Sequence, residues 1–315
     1  MIKFMQKIPA GTFIVPMLVS ALFNTFAPTL FDIGGVSEVF FSGGGMTFIV
    51  GALTFSSGIM LDIRKVGSIL KHHGVLFLAK IGLALLTGYL AITFLEPQGL
   101  FGISTVAFVV AIASINPAIY LGLVKDFGTE HDSLAFSLAG LFSIPAFPLI
   151  IYAISGGGEV DLMPIFSILL PLFVGMTLGN LDPAWRGIFG QMPIVLLPLL
   201  GWNIGQGIDF KAAFAAGFSG ILLALIFYIV TIPTLFGMDK LLKKNGIIGL
   251  SLVTVAGASA VSPGLIAASY PEVAPFAEVA ATQILTVTVL TSLVTPLLVN
   301  YLAKREKVEK NPTVQ

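Results

Sequence analysis

Two stretches hold the residue types best suited to chemistry in this chain. Residues 113–120 read ASINPAIY, and residues 257–266 read GASAVSPGLI. Each sets small polar side chains beside a proline, inside a run without charge that is long enough to cross a bilayer. Proline lacks an N–H and costs about 3 kcal/mol in a helix interior. It also disfavours helical geometry at the residue before it. The spacing therefore predicts a helix that stops near Ser114 and restarts at Pro117, with Asn116 as N-cap and Pro117 as first helical residue. The same grammar makes Ser262 an N-cap and Pro263 the first residue of a second restarted helix. A restarted helix offers unpaired N–H groups and the positive end of its dipole, which attract an anion. The half-helix before it leaves carbonyls free for a proton donor or a cation. An anionic, hydroxylated solute fits both, with its carboxylate at the helix ends and its hydroxyls at Ser114, Asn116, Ser259 and Ser262. Either stretch alone is better read as a proline kink satisfied by neighbouring helices. Two breaks at corresponding positions favour a binding site.

The elements that must position these residues are membrane spans. The chain has 315 residues, 56% hydrophobic and 10% charged, against about 25% charged in a soluble domain. A span needs about 20 apolar residues. Ten runs qualify, near 8–31, 39–61, 74–95, 97–124, 133–158, 162–181, 187–208, 212–238, 245–271 and 279–303, and only the third carries a charge inside it, Lys80. With ten spans, fourteen lysines and arginines fall in the even-numbered loops and the termini, and only Lys211 falls on the other side. The positive-inside rule then puts both termini in the cytoplasm. The apolar run after MIKFMQKIPAG is too long for a signal peptide and reads as a retained span. Net charge is zero and there is no cysteine. No nucleic-acid partner, cofactor, thiolate chemistry or metal centre is therefore expected.

Ten spans divide into two fives, 1–157 and 158–315. Pro9 and Pro16 are seven apart, as are Pro164 and Pro171, and those two spans end at Asn24 and Asn180. Spans two and seven end at Asp62 and Asp209. Pro117 pairs with Pro263 at nearly the same offset. Five being odd, the second half enters from the opposite face, an inverted repeat of the kind common in secondary transporters. Spans four and nine then run antiparallel, so that their breaks meet near the midplane with both new N-termini facing one site.

The chain resembles the 2-keto-3-deoxygluconate permeases over nearly its whole length. The resemblance rests on KIPAG…VP at 7–16, NPAIY at 116–120, LPLFVGMTLGNLDP at 170–183, the GID ending at Asp209, and SPGLIA at 262–267. The family pattern often has glycine after the asparagine, where Pro117 stands here. The resemblance implies a ten-span, all-α carrier in the cytoplasmic membrane of a bacterium that imports 2-keto-3-deoxygluconate with protons. It also implies a distant similarity to bile-acid/sodium symporters, and so an elevator-type architecture. In that architecture a core of about 74–158 and 212–303 moves against a panel of about 8–61 and 162–208, and the panel offers a face to a second copy. The substrate-binding roles of Asn116, Tyr120 and the Ser262–Pro263 region follow from the resemblance.

Other polar residues have simpler readings. Lys80 reads as snorkelling to the cytoplasmic surface, and otherwise as a partner for a substrate carboxylate. His72 and His73 read as surface residues, and His131 as part of a solvated loop. Asp62 and Asp209 read as helix-end anchors, or as coupling carboxylates. Glu272 and Glu278 read as solvated, or as guards of an entrance. Asn203 and Gln206 read equally as functional or as helix–helix glue. Trp185, Trp202, Tyr152 and Tyr301 fit an interfacial aromatic belt. No carboxylate lies mid-span, so the residues alone leave the coupling ion open between proton and sodium. An intramembrane protease would need a histidine or two aspartates within the bilayer, and a passive channel would need polar faces repeated along several spans. Neither pattern is present.

Overall fold

The computed structural model describes residues 5, 11–41, 45–129, 132, 135–155, 162–206 and 210–310. Among them the protein is helical, without a strand. The elements are α1 (Gly11–Phe26), α2 (Gly35–Phe41), α3 (Met46–Met60), α4 (Ile63–Phe94), α5 (Thr105–Ala113), α6 (Pro117–Phe127), α7 (Phe136–Leu141), α8 (Ala146–Ser155), α9 (Leu162–Leu181), α10 (Ala184–Phe189), α11 (Met192–Gly205), α12 (Phe210–Leu241), α13 (Ile247–Ser251), α14 (Ser262–Ser269) and α15 (Ala277–Lys310). Two 3₁₀ segments, Gly257–Val261 and Pro271–Phe276, flank α14. Among the described residues, three helices are long and apolar enough to cross a membrane unaided: Ile63–Phe94, Gly217–Leu241 and Pro271–Arg305. The other apolar runs are shorter helices or are interrupted, so the sequence runs are more continuous than the helices they form.

One group of helices is packed backbone to backbone. α1 lies on α11, and α3 lies on α9 and α11. On α9, Gly175 and Gly179 form a G-x-x-x-G face. A Cβ at Gly175 would collide with the Phe55 carbonyl, and one at Gly179 with the Ile59 carbonyl. From the other side, a Cβ at Gly58 would strike the Leu172 carbonyl. Gly205 stands in the same relation to Met17 on α1. Close approach of this kind replaces hydrophobic driving force where lipid surrounds the helices.

Polar clamps hold the two ends of this group. At one end Asn180 donates to the Leu61 and Met176 carbonyls at 2.8 and 2.7 Å and accepts from the Ile63 N–H at 3.0 Å. Arg186 lies 3.2 Å from Asp62, which also caps α4 through the Arg64 N–H at 3.1 Å. The Asn180-Leu181-Asp182-Pro183 motif thus closes a helix junction. At the other end Trp202 donates to the Phe41 carbonyl at 2.9 Å and Gln206 to the Ser20 hydroxyl at 2.7 Å. Asn203 donates to the Phe40 carbonyl of α2 at 3.3 Å. Asn203 and Gln206 therefore serve as helix–helix glue.

The second group is built on α4, α12 and α15, with α5, α8 and α13 packed against them. Gln283 of α15 accepts from the Ser104 N–H and hydroxyl at 3.2 and 3.1 Å, and donates to the Gly102 carbonyl and the Ser219 hydroxyl at 2.6 and 2.8 Å. Tyr152 departs from the belt expectation. It is buried and meets Tyr270 edge-on at 5.0 Å, because α8 faces α14 rather than lipid.

The first break follows the sequence grammar. α5 ends at Ala113, residues 114–116 are non-helical, and the Ile119 N–H donates to the Asn116 side-chain oxygen at 3.3 Å. The second break is displaced from its expected place. The chain leaves α13 at Ser251, runs non-helically through 253–256, turns through the 3₁₀ segment and enters α14 directly. Ser262 is already helical (φ −56°, ψ −40°) and caps nothing, since the 3₁₀ turn leaves no capping position before it. Pro263 falls in the first helical turn, where its missing N–H leaves no bond unmade. A third interruption, at 142–145, separates α7 from α8.

Substituting Gly179 by Ala is expected to lower the melting temperature of the detergent-purified protein sharply, by an overpacking cost of about 3 kcal/mol. Gly237→Ala, where a Cβ meets nothing within 4 Å, is expected to leave melting unchanged or raise it slightly. Equal effects of the two changes in a thermal melt would contradict the backbone contact.

Candidate functional site

The three interruptions converge. The Ser114 and Ser259 hydroxyls lie 2.7 Å apart, and the Ala256 N–H donates to the Ser114 hydroxyl at 2.9 Å. The Asn116 N–H donates to the Thr254 hydroxyl at 3.0 Å, and the Ile115 N–H to the Phe142 carbonyl at 3.4 Å. Behind the crossing, α15 supplies two threonines. The Val255 N–H donates to Thr291 at 3.1 Å, and Thr295 donates to the Val253 carbonyl at 2.6 Å. Side chains thus satisfy the backbone groups that the breaks leave open, as buried backbone requires.

A cavity of about 420 Å³ lies between this crossing and the glycine-packed helices. Asn116 and Pro117 line it from the first break, Ala256, Gly257 and Ala258 from the second, and Ser143, Ile144 and Pro145 from the third. Opposite them stand Val50, Leu53, Thr54, Ser56, Ser57 and Met60 of α3, with Thr12 and Gly190. Its lining is mostly apolar with a few polar groups, as in small-molecule sites generally. The N-terminus of α6, eleven residues long, adjoins the cavity at its cap and first residue, so its positive end and its capping amide adjoin the same space. A smaller cavity of about 120 Å³ lies beyond Thr54 and Val50, which line both spaces, and reaches Met46, Ser167, Val261 and Leu265. The Thr54 hydroxyl is buried and has no hydrogen-bond partner among the described residues.

The residues singled out in the sequence are distributed unevenly around this space. Asn116 and Pro117 line the cavity. Ser114 and Ser259 are fully buried against each other within the crossing. Ser262 is fully buried, its hydroxyl unpaired among the described residues, and Pro263 is buried beside it. Here the expectation of two helix N-termini on one site is corrected. The start of α14 adjoins the smaller cavity, because the 3₁₀ turn carries it past the crossing. Asp62 lies away from the cavity in its pair with Arg186. Asp209 and His131 lie outside the described residues. The sequence reading missed Thr54, Thr254 and the face of Thr288, Thr291 and Thr295. The i, i+3, i+7 spacing of those last three in a single span was the available signal.

Two further expectations are overturned. Lys80 does not snorkel. It has no exposed surface, because α12 covers the face of α4 that carries it, and its amine lies 5.3 Å from the centre of the Phe227 ring. His73 is not a surface residue. It is buried, with Nε2 3.0 Å from the Asp132 carboxylate. Asp132 also accepts from the Thr129 N–H and hydroxyl at 2.7 and 2.8 Å, and its carbonyl accepts from the hydroxyl of the buried Tyr120 at 2.9 Å. Tyr120 and His73 thus fasten the far end of α6 to α4. Burial pushes the Asp132 carboxyl up, but hydrogen bonds from His73 and Thr129 outweigh it and hold the group at about 2.

A sequence profile of the 2-keto-3-deoxygluconate permeases matches residues 2–308. The chain belongs to that family. It is 31% identical over 313 residues to 2-keto-3-deoxygluconate permease 1 of Salmonella typhimurium, covering 98% of each chain. It is 33% identical over 309 residues to the permease of Pectobacterium carotovorum, covering 95% of this chain and 96% of that one. The Bacillus subtilis permease is 29% identical over 319 residues, with 98% and 95% covered. This family makes the protein a multi-pass membrane transporter rather than an enzyme.

A carboxyl held below its unfolded value of about 3.9 stabilises the fold above that pH, and the effect is lost as pH falls toward about 2. Asp132→Asn is therefore expected to lower the melting temperature at pH 7 by several degrees. Mutant and parent should converge as the pH is lowered toward 2. A difference that persists unchanged at pH 2 would place the stabilisation elsewhere.

Proposed function

We propose that this protein is a secondary active transporter that imports the sugar-acid anion 2-keto-3-deoxygluconate by proton symport. Alternating access would come from movement of the α4–α8 and α12–α15 core against the α1–α3 and α9–α11 panel. The observation that carries this reading is the cavity itself. One wall is panel and the other is broken-helix backbone capped by Asn116, so relative movement of the two groups would carry the site with the core. The helix end and the capping amide suit a carboxylate, and the hydroxyls of Ser57 and Ser143 on the cavity wall, which donate to the Leu53 and Gly140 carbonyls, can accept from a polyol.

In this reading residues 1–157 and 158–315 are inverted repeats. The crosswise packing of α1 on α11 and of α3 on α9 supports it, since each pairs a first-half element with one from the second half. The charge bias supports cytoplasmic termini, and the bacterial relatives support a cytoplasmic membrane. Met60 and Gly190, which line the large cavity, lie near the Arg64 and Arg186 loops, and this supports an inward-facing reading. Thr54, whose unpaired hydroxyl borders both cavities, is the panel's contact to the solute.

Purified protein in proteoliposomes is expected to accumulate labelled 2-keto-3-deoxygluconate under an imposed proton gradient, inside alkaline, and to show counterflow in preloaded vesicles. Asn116→Ala is expected to weaken solute binding more than tenfold while the protein stays folded and inserted. Asn116→Ser, which keeps a helix cap, separates the lost amide from the lost cap. Wild-type affinity in Asn116→Ala would remove this residue from the site.

A further inference from the structure

The proton-coupled reading lacks a proton carrier, since no carboxylate among the described residues lines the cavity. We infer that the coupling proton is carried by the side-chain amine of Lys80; this rests on the symport reading above. Lys80 sits in α4 with no exposed surface, and its nitrogen has no hydrogen-bond partner and no ion-pair partner among the described residues. Its one polar interaction is with the face of the Phe227 ring, 5.3 Å away. A lysine that makes no bond does nothing structural that a methionine of similar length would not do at lower cost. Its distinguishing capacity is to gain and lose a proton: the lone pair on the nitrogen takes H⁺ to give the ammonium, and returns it.

No nearby anion fixes the amine in its charged form. Of the helices packed on α4, α5 carries no titratable residue. On α8 the titratable residue is Tyr152, which meets Tyr270. On α12, Tyr228 lies 2.9 Å from the Thr295 hydroxyl, and Asp239 lies twelve residues beyond Phe227, accepting from the Gly249 N–H at 3.3 Å. On α4 itself, His73 is two turns away and paired with Asp132. Lys240 of α12 lies over Phe236, and Lys244, beyond the end of α12, donates to the His72 carbonyl.

The position of Lys80 links it to both breaks. One turn before it, Phe77 stacks on Phe142 at 5.5 Å, and the Phe142 carbonyl receives the Ile115 N–H of the first break. Beneath the amine, Phe227 adjoins Tyr228, which meets Thr295, and Thr295 donates to Val253 in the second break. A charge appearing on Lys80 therefore acts on packing that braces both breaks in the core wall of the cavity. In a poorly screened interior, the field of a carboxylate held at the breaks favours that charge, and the charge favours the carboxylate. Proton and anion then bind cooperatively and move together as a neutral pair.

The test compares wild type, Lys80→Met and Lys80→Arg in proteoliposomes with labelled 2-keto-3-deoxygluconate. Wild type is expected to accumulate the solute under a proton gradient and to take up about one proton per solute. Lys80→Met is expected to keep counterflow but lose gradient-driven accumulation and proton uptake. Lys80→Arg keeps the length and stem and never releases its proton. It is expected to lose accumulation as well, and it serves as the readout if the methionine variant does not insert. Wild-type proton stoichiometry in either variant overturns the assignment to Lys80. Counterflow without proton-driven accumulation in wild type overturns the symport reading, and this inference with it.

Discussion

Irregular backbone at membrane depth must find hydrogen bonds within the protein, and the site rests on how this chain meets that demand. The groups freed at the first two interruptions are met chiefly by side chains: Ser114, Thr254, Thr291 and Thr295. Each is short, so each holds its partner with little loss of side-chain freedom. An unmet buried N–H or carbonyl costs about 1–3 kcal/mol. The crossing is therefore affordable only as a set, and the cavity beside it exists because the set closes.

The two helix groups solve their packing in different ways. The panel brings backbones together through Gly58, Gly175, Gly179 and Gly205, and ties its ends with Asn180, Arg186 and Trp202. Contacts between glycine and carbonyl leave no room for sliding, which suits a fixed frame. The core has larger side chains, side-chain-mediated bonds and buried ionisable groups such as Lys80, His73 and Asp239. Its interior therefore contains the elements that can respond to charge.

Much of this arrangement was legible in the sequence, and its failures have physical causes. Asn116–Pro117 gave the first break correctly because both residues act locally: the cap bonds a backbone group three residues away. The second break was misplaced because Val253–Ala256 holds no proline. It is extended by bonds to α15 and to the first break, and single-sequence reasoning does not register distant partners. The break at 142–145 has only Pro145 to mark it in an otherwise apolar run, and apolarity alone does not reveal it. Ser114 and Ser259 were rightly placed together, but their hydroxyls meet each other within the crossing. Lys80 was read as snorkelling from its distance to the surface, and the helix that covers it was out of view.

Thr54 and Val50 line both cavities, so between the two spaces the protein is about one side chain thick. When water fills both sides, the membrane potential falls mainly across that layer instead of over about 30 Å of hydrocarbon. A charge moving a few ångströms past Thr54 would then do most of the electrical work of crossing the bilayer, about 2.3 kcal/mol per 100 mV. A barrier this short makes the charge of the transported complex matter more than the distance it travels.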